Sequence, residues 1–205
     1  MSAPIPISGR PPVIPPNNGA HVLVLSCIDP RFTEFLAWFL TKYKAVHNNY
    51  DLFSLAGASL GVNQTAFPNW SAVFFDHLKL AIDLHEITEV WAFDHLDCGA
   101  YKKLLVQTTD DDVDQHKDQL QELQQTLATY SDDSDDDVNT KITQLAFKGF
   151  VMSTEGEVYK VVDDGRGIEV TRSDLFRGSR SSLTMLLSVA LGLLVIIVLF
   201  NQLYA

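Results

Sequence analysis

Apolar residues change their spacing in a regular way along this chain, and each change marks an element. Residues 21–26 form a short run rich in branched apolar side chains, the pattern of a strand buried on both faces. Phe32, Phe35, Leu36, Phe39, Leu40 and Tyr43 then recur three or four positions apart, which predicts a helix with one buried side. A second strand is expected over 51–55, ending at Gly57. A second amphipathic helix follows over 68–85, with Val73, Phe74, Leu78, Ala81, Ile82 and Leu84 as its apolar side. Residues 89–93 read as a third strand. The order βαβαβ with short links predicts right-handed crossovers and an α/β fold, a mainly parallel sheet flanked by helices.

Beyond this repeat the pattern changes. Residues 101–106 read as helical, and Val113, His116, Leu120, Leu123, Leu127 and Tyr130 fall on one face at helical spacing. That predicts a surface helix with an Asp-rich loop at each end. Residues 147–153 and 157–162 flank Glu155 and Gly156, a turn signal, so a terminal strand pair is expected. The domain is thus placed at 21–165, with an acidic insertion at 110–137.

The two ends are of another kind. Residues 1–20 hold Pro4, Pro6, Pro11, Pro12, Pro15 and Pro16, whose fixed φ and missing N–H groups predict an extended arm. Residues 183–200 carry no charge and would span roughly 27 Å as a helix, about one hydrocarbon core. A transmembrane helix is predicted over 183–203, after a juxtamembrane linker at 166–182. Arg172, Arg177 and Arg180 precede it, which places the N-terminal domain on the cytoplasmic side, or the equivalent matrix or stromal side. The expected form is a single-pass, tail-anchored protein with membrane lipid as a partner.

Charge narrows the function. The formal net charge is −11, which argues against nucleic acid as a partner, because phosphate binding needs a basic face. Most of the charge is local: between Asp110 and Asp137 there are eleven carboxylates and one lysine. The run lacks the glycine and oxygen spacing of an EF-hand loop, so a solvated segment is the expectation. Cys27 and Cys98 are the two cysteines. With no export signal evident before them, they are expected as reduced thiols.

Both thiols fall where chemistry is built. Cys27 follows the first strand directly, His95 follows the third, and Cys98 comes three residues later. In a parallel sheet the C-terminal strand ends lie side by side, and ligand sites form in the crevice there. Two thiolates and one imidazole suit tetrahedral Zn²⁺, and three protein ligands leave its fourth position open, as in a catalytic site. In the sequence Cys27-Ile28-Asp29-Pro30-Arg31, an extended backbone would project Cys27, Asp29 and Arg31 to one side. A carboxylate there can accept a hydrogen bond from a metal-bound water while the guanidinium keeps it ionised and oriented.

Cys27-x-Asp29-x-Arg31, followed by His95-x-x-Cys98-Gly99, resembles the zinc signature of the β-class carbonic anhydrases. The resemblance covers roughly residues 21–163 and includes the Ala56–Gly57 turn and the hairpin between Gly149 and Gly156. It implies Cys27, His95 and Cys98 as zinc ligands and Asp29 and Arg31 as the catalytic dyad that orients a zinc-bound hydroxide. It also implies Gly57 and Gly99 on the substrate side. The expected reaction is the reversible hydration of CO₂ to bicarbonate, by a homodimer or higher oligomer with Zn²⁺ as cofactor. Where the family commonly has Arg-Asn before an Ala-Gly-Gly turn, this chain has Ser54-Leu55-Ala56-Gly57-Ala58, a departure on the substrate side. Two alternatives stay open: a hydrolase of a CO₂ analogue such as carbonyl sulfide or carbon disulfide, and a catalytically silent, zinc-stabilised scaffold of a membrane complex. The proton carrier is not identified, and His47, His77, His85 and His116 are the available side chains.

Overall fold

The computed structural model describes residues 20–42, 46–105, 113–132 and 136–170. Eleven elements follow in order: β1 (Val22–Ser26), α1 (Pro30–Lys42), β2 (Tyr50–Ser54), α2 (Ser59–Asn63), α3 (Asn69–His85), β3 (Glu89–His95), α4 (Gly99–Leu104), α5 (Val113–Ala128), α6 (Asp136–Gln144), β4 (Ala146–Met152) and β5 (Val158–Asp163). The arm at 1–19 and the predicted membrane helix at 183–203 lie outside the described residues. Among the described residues no helix is long and apolar enough to cross a membrane.

The five strands form one sheet in the order β2-β1-β3-β4-β5. β1 pairs parallel with β2 and β3, and β3 pairs parallel with β4. β5 returns antiparallel along β4 through the turn at Gly156. Every residue of β1, β3 and β4 is buried, because helices cover both faces of these central strands.

Two apolar layers hold the sheet. On one face Phe32, Leu36, Phe39 and Leu40 of α1 pack with Val22, Val24, Trp91, Phe93 and Phe150. On the other, Phe74, Leu78 and Ile82 of α3 meet Leu120, Leu123 and Leu127 of α5 over Leu23, Leu25, Val90 and Ala92. Of the predicted face of the acidic segment, His116, Leu120, Leu123 and Leu127 are buried. At Gly149 an added Cβ would stand 3.1 Å from the Cβ of Leu120, so the missing side chain lets α5 approach β4 closely. α2 and α6 are additions to the sequence-based reading. Asp136 and Asp137 fall in the first turn of α6, where carboxylates favour the helix dipole.

At the N-terminal edge of the strands a buried ion pair ties the C-terminal segment under the sheet. Lys148 is 1% exposed and Glu89 3%. Lys148 Nζ lies 3.5 Å from Glu89 Oε2 and donates to the Arg166 carbonyl at 2.5 Å. Glu89 also accepts from Trp91 Nε1 at 2.9 Å and from the Ile168 N–H at 2.6 Å.

Candidate metal centre

The first loop of the site starts where β1 ends. Cys27 follows Ser26, and Pro30 opens α1 with the fixed φ that suits a first helical position. Asp29 stands just before it and accepts the Arg31 N–H at 3.0 Å, so this carboxylate also caps α1. Its two oxygens take a forked pair from the Arg31 side chain, Nε to Oδ1 at 3.0 Å and Nη2 to Oδ2 at 2.7 Å. Arg31 reaches further, donating from Nη1 to Asp97 Oδ2 at 2.7 Å and from Nη2 to the Asp97 carbonyl at 3.1 Å. The Arg31 hydrogen bonds hold the Asp29 carboxyl below its ordinary range. Lys102 and then Arg31 depress Asp97 to about 2. Asp97 was not singled out from the sequence, although it adjoins Cys98.

The second loop leaves β3 at His95, which is fully buried and stacks on Phe32 with ring centroids 4.2 Å apart. His95 Nδ1 donates to the Leu96 carbonyl at 2.8 Å, which makes Nε2 the unprotonated nitrogen of the neutral ring. Nε2 is buried and has no hydrogen-bond partner among the described residues. Asp29 Oδ2, at 3.8 Å, is too far to serve. Burial disfavours the charged ring, but the Cys27 sulfur, the Leu96 carbonyl and Asp29 outweigh it and raise the His95 pKa. Cys98 precedes α4 and is 3% exposed.

These segments bring three donors together. Cys27 Sγ, a His95 ring nitrogen and Cys98 Sγ all lie within 4.8 Å of one another, and they form a group able to hold a metal ion. The two sulfurs are 3.8 Å apart, far beyond a disulfide bond and consistent with free thiols. Two thiolates at roughly 2.3 Å from a tetrahedral ion would be about 3.8 Å apart, so the spacing fits. The orphaned Nε2 fits as well, since a buried imidazole nitrogen without a partner is costly unless a ligand meets it.

Electrostatics agrees with the geometry. The Cys98 thiol, against burial, together with His95 and the Gly57 N–H, lowers the Cys27 pKa to about 4. Cys98 is raised, because its neighbour is already the thiolate and because it is buried. Without a cation the pair therefore shares one negative charge, and a divalent ion is what would draw off the second proton. The Gly57 N–H lies 3.3 Å from Cys27 Sγ, aimed there by a turn with φ of 81° at Gly57 and 43° at Ala58. The first value favours glycine, and the second is a strained conformation for alanine of the kind that gathers at functional sites.

In front of the donors opens a cleft of about 420 Å³, lined by Ile28, Ala56, Phe67, Trp70, Ala100 and Leu104 as well as by Cys27, Asp29, Cys98 and Gly99. Phe67 and Trp70 stack at 4.4 Å on its wall. Gly57 is not among the lining residues: its N–H serves the Cys27 sulfur. None of the four histidines considered as proton carriers lines the cleft either. His85 bonds Asp51 at 2.7 Å and His77 the Val73 carbonyl at 2.9 Å. His116 is buried, 3.4 Å from Asp94 Oδ2.

No family model matches the chain. It is similar to an uncharacterised protein of Rickettsia bellii, 27% identical over 150 residues, which are 71% of this chain and 84% of that protein. Among solved structures it is similar to a carbonic anhydrase from Glaciozyma antarctica, with 17% identity, a TM-score of 0.45, and coverage of 73% of this chain and 86% of that one. It is also similar to a β-carbonic anhydrase from Trichomonas vaginalis, with 11% identity, a TM-score of 0.49, and coverage of 75% and 88%.

Proposed function

We propose that this chain catalyses the reversible hydration of CO₂ to bicarbonate, with Zn²⁺ held by Cys27, His95 and Cys98. The observation that carries this reading is the buried His95 Nε2, without a hydrogen-bond partner among the described residues, beside two sulfurs 3.8 Å apart. When bound, Zn²⁺ supplies Lewis acidity that brings a water to hydroxide near neutral pH. Asp29 lies 3.8 Å from Nε2 and accepts a hydrogen bond from the attacking water, which orients it. Arg31 keeps Asp29 ionised through its fork, and Asp97 fixes the other side of the guanidinium. The largely apolar walls of the cleft accept CO₂, which is uncharged, and Lys103 on the same lining offers a cation to the bicarbonate product before it leaves with water. The proton released in the same turnover passes to solvent buffer.

Stopped-flow CO₂ hydration by the zinc-loaded full-length chain tests this. A zinc-dependent rate that disappears in Cys98→Ser supports it, and a folded, zinc-loaded chain with no rate overturns it. A silent scaffold is favoured by one observation, the cap that Asp29 gives to α1, which supplies a structural reason for the carboxylate. The same assay separates the two, and a parallel run with carbonyl sulfide separates the analogue hydrolase.

Two further parts of the reading rest on sequence. Residues 183–203 anchor the chain in a membrane with residues 21–165 on the cytoplasmic-type side, as the arginine bias suggests. Protection of that domain from protease inside sealed vesicles of cytoplasmic-side-out orientation would contradict it. The enzyme acts as a homodimer or higher oligomer, a reading supported by exposed Ile28, Leu52, Leu80 and Leu84 and checked by sedimentation.

A further inference from the structure

One buried carboxylate is not used by the mechanism above. Asp94 is the penultimate residue of β3 and is 1% exposed. Its Oδ1 accepts the Ser59 N–H at 3.0 Å. Its Oδ2 accepts Ser59 Oγ at 2.5 Å and Tyr101 Oη at 2.6 Å, with His116 Nδ1 at 3.4 Å. Ser59 Oγ and Tyr101 Oη are themselves 3.2 Å apart, and the Tyr101 ring lies 3.9 Å from that of His116. These donors come from three elements other than its own strand: Ser59 from α2, Tyr101 from α4 and His116 from α5.

Asp94 itself, Ser59 and Tyr101 each adjoin a part of the metal centre. Asp94 is covalently next to His95. Ser59 follows the Gly57–Ala58 turn whose N–H meets Cys27 Sγ. Tyr101 lies three residues after Cys98 in the following helix, and its side chain packs in one cluster with Leu60 and Cys98, against which Cys27 also rests. The segments that carry all three donors are therefore tied to a single carboxylate. A buried carboxylate surrounded by donors is held in one place, and groups hydrogen-bonded to it are held with it. At the opposite end of the sheet the buried ion pair links β3 and β4 to the backbone of Arg166 and Ile168 instead.

We propose that Asp94 is a positioning residue that sets the spacing of Cys27, His95 and Cys98 through Ser59 and Tyr101, with His116 bringing α5 into the same network. This rests on the three donors holding a metal. Groups just outside a ligand set typically change metal affinity by about 10- to 100-fold when removed, and Asp94 should fall in that range. The mere loss of a core hydrogen bond would lower stability without altering the coordination sphere.

The test measures zinc affinity by chelator competition, and the visible spectrum of the Co²⁺-substituted protein, on the full-length chain and its Asp94→Asn and Tyr101→Phe variants. Glu89→Gln, another buried carboxylate lost from the far rim, is the control. The expected result is a 10- to 100-fold weaker zinc Kd and displaced thiolate-to-cobalt bands for Asp94→Asn and Tyr101→Phe, with neither change in Glu89→Gln. Should Asp94→Asn fail to fold, Tyr101→Phe decides alone, since it removes one oxygen and keeps the ring. Folded variants with the parent's Kd and spectrum would overturn the positioning role while leaving the metal centre intact. A parent chain that takes up neither zinc nor cobalt would overturn both.

Discussion

The two rims of the sheet bury charged and polar groups to different ends. At the N-terminal rim, Glu89 and Lys148 are as inaccessible as any core residue, and both are fully engaged by each other, by Trp91, and by the backbone of residues 166 and 168. At the C-terminal rim His95 is equally buried, yet among the described residues Nε2 has no hydrogen-bond partner, and two thiols stand 3.8 Å apart, Cys27 shifted towards the thiolate and Cys98 towards the thiol. A satisfied buried network stabilises and goes no further. A buried network with one orphaned donor set is incomplete without a ligand. The difference separates a structural clamp at the start of β3 from a binding site at its end.

Four experiments press on that contrast. The largest effect is expected from Cys98→Ser: zinc content falls from stoichiometric to near zero, and CO₂ hydration falls to the background rate, with elemental analysis and stopped flow as the readouts. Next comes Glu89→Ala, which strips Lys148 of its carboxylate partner inside the protein. It should lower unfolding free energy by about 3–5 kcal/mol in urea titrations, while the folded fraction binds zinc as before. If this variant loses zinc in proportion to stability, the rims are not independent. Arg31→Gln should leave zinc content and the unfolding midpoint close to the parent's, because the guanidinium is solvent-facing. It should lower kcat/KM by about 10- to 100-fold, since Asp29 then keeps only its backbone cap and loses the guanidinium fork that orients it. The smallest effect concerns Asp163. Burial would raise its pKa, but Lys160 at 2.5 Å, the Gly165 N–H at 2.9 Å and the charge of Lys148 lower it below 3.8. A carboxyl depressed in the folded state adds stability that is complete above its unfolded pKa and is lost as pH falls towards the folded one. Asp163→Asn should therefore be slightly less stable than the parent at pH 7, with the difference shrinking as pH falls below about 4, so that the acid limb of the profile is flatter.

What the sequence revealed follows from periodicity and position. β1 and β3 announced themselves as apolar runs, because both their faces are buried, and α1, α3 and α5 as stripes three and four apart, although Val73 and Leu84 of the α3 stripe are exposed. The donors Cys27, His95 and Cys98 were legible because strand ends converge in this topology. β3 was read two residues short, since Asp94 and His95 look like the start of a loop although both are buried. α2 spans five residues around Gly61, too short to show a helical period. α6 was hidden by the acidic run, whose carboxylates serve its first turn. His116 looked like a plain helix residue, and the reason for its burial lies 22 positions back at Asp94. The resemblance implies Gly57 on the substrate side, and no spacing announces that its N–H meets the Cys27 sulfur. Such contacts join distant elements through single side chains, and no spacing rule encodes them.

The central claim is that two sulfurs and one imidazole nitrogen share a single divalent ion, and X-ray absorption at the zinc edge reads that sphere directly. For the zinc-loaded full-length chain, two sulfurs at about 2.3 Å and two lighter atoms near 2.0–2.1 Å are predicted, one of them an imidazole nitrogen. Cys98→Ser, which should retain almost no zinc, should give no protein-bound zinc edge after desalting. A parent spectrum made up of oxygen and nitrogen alone would contradict the account.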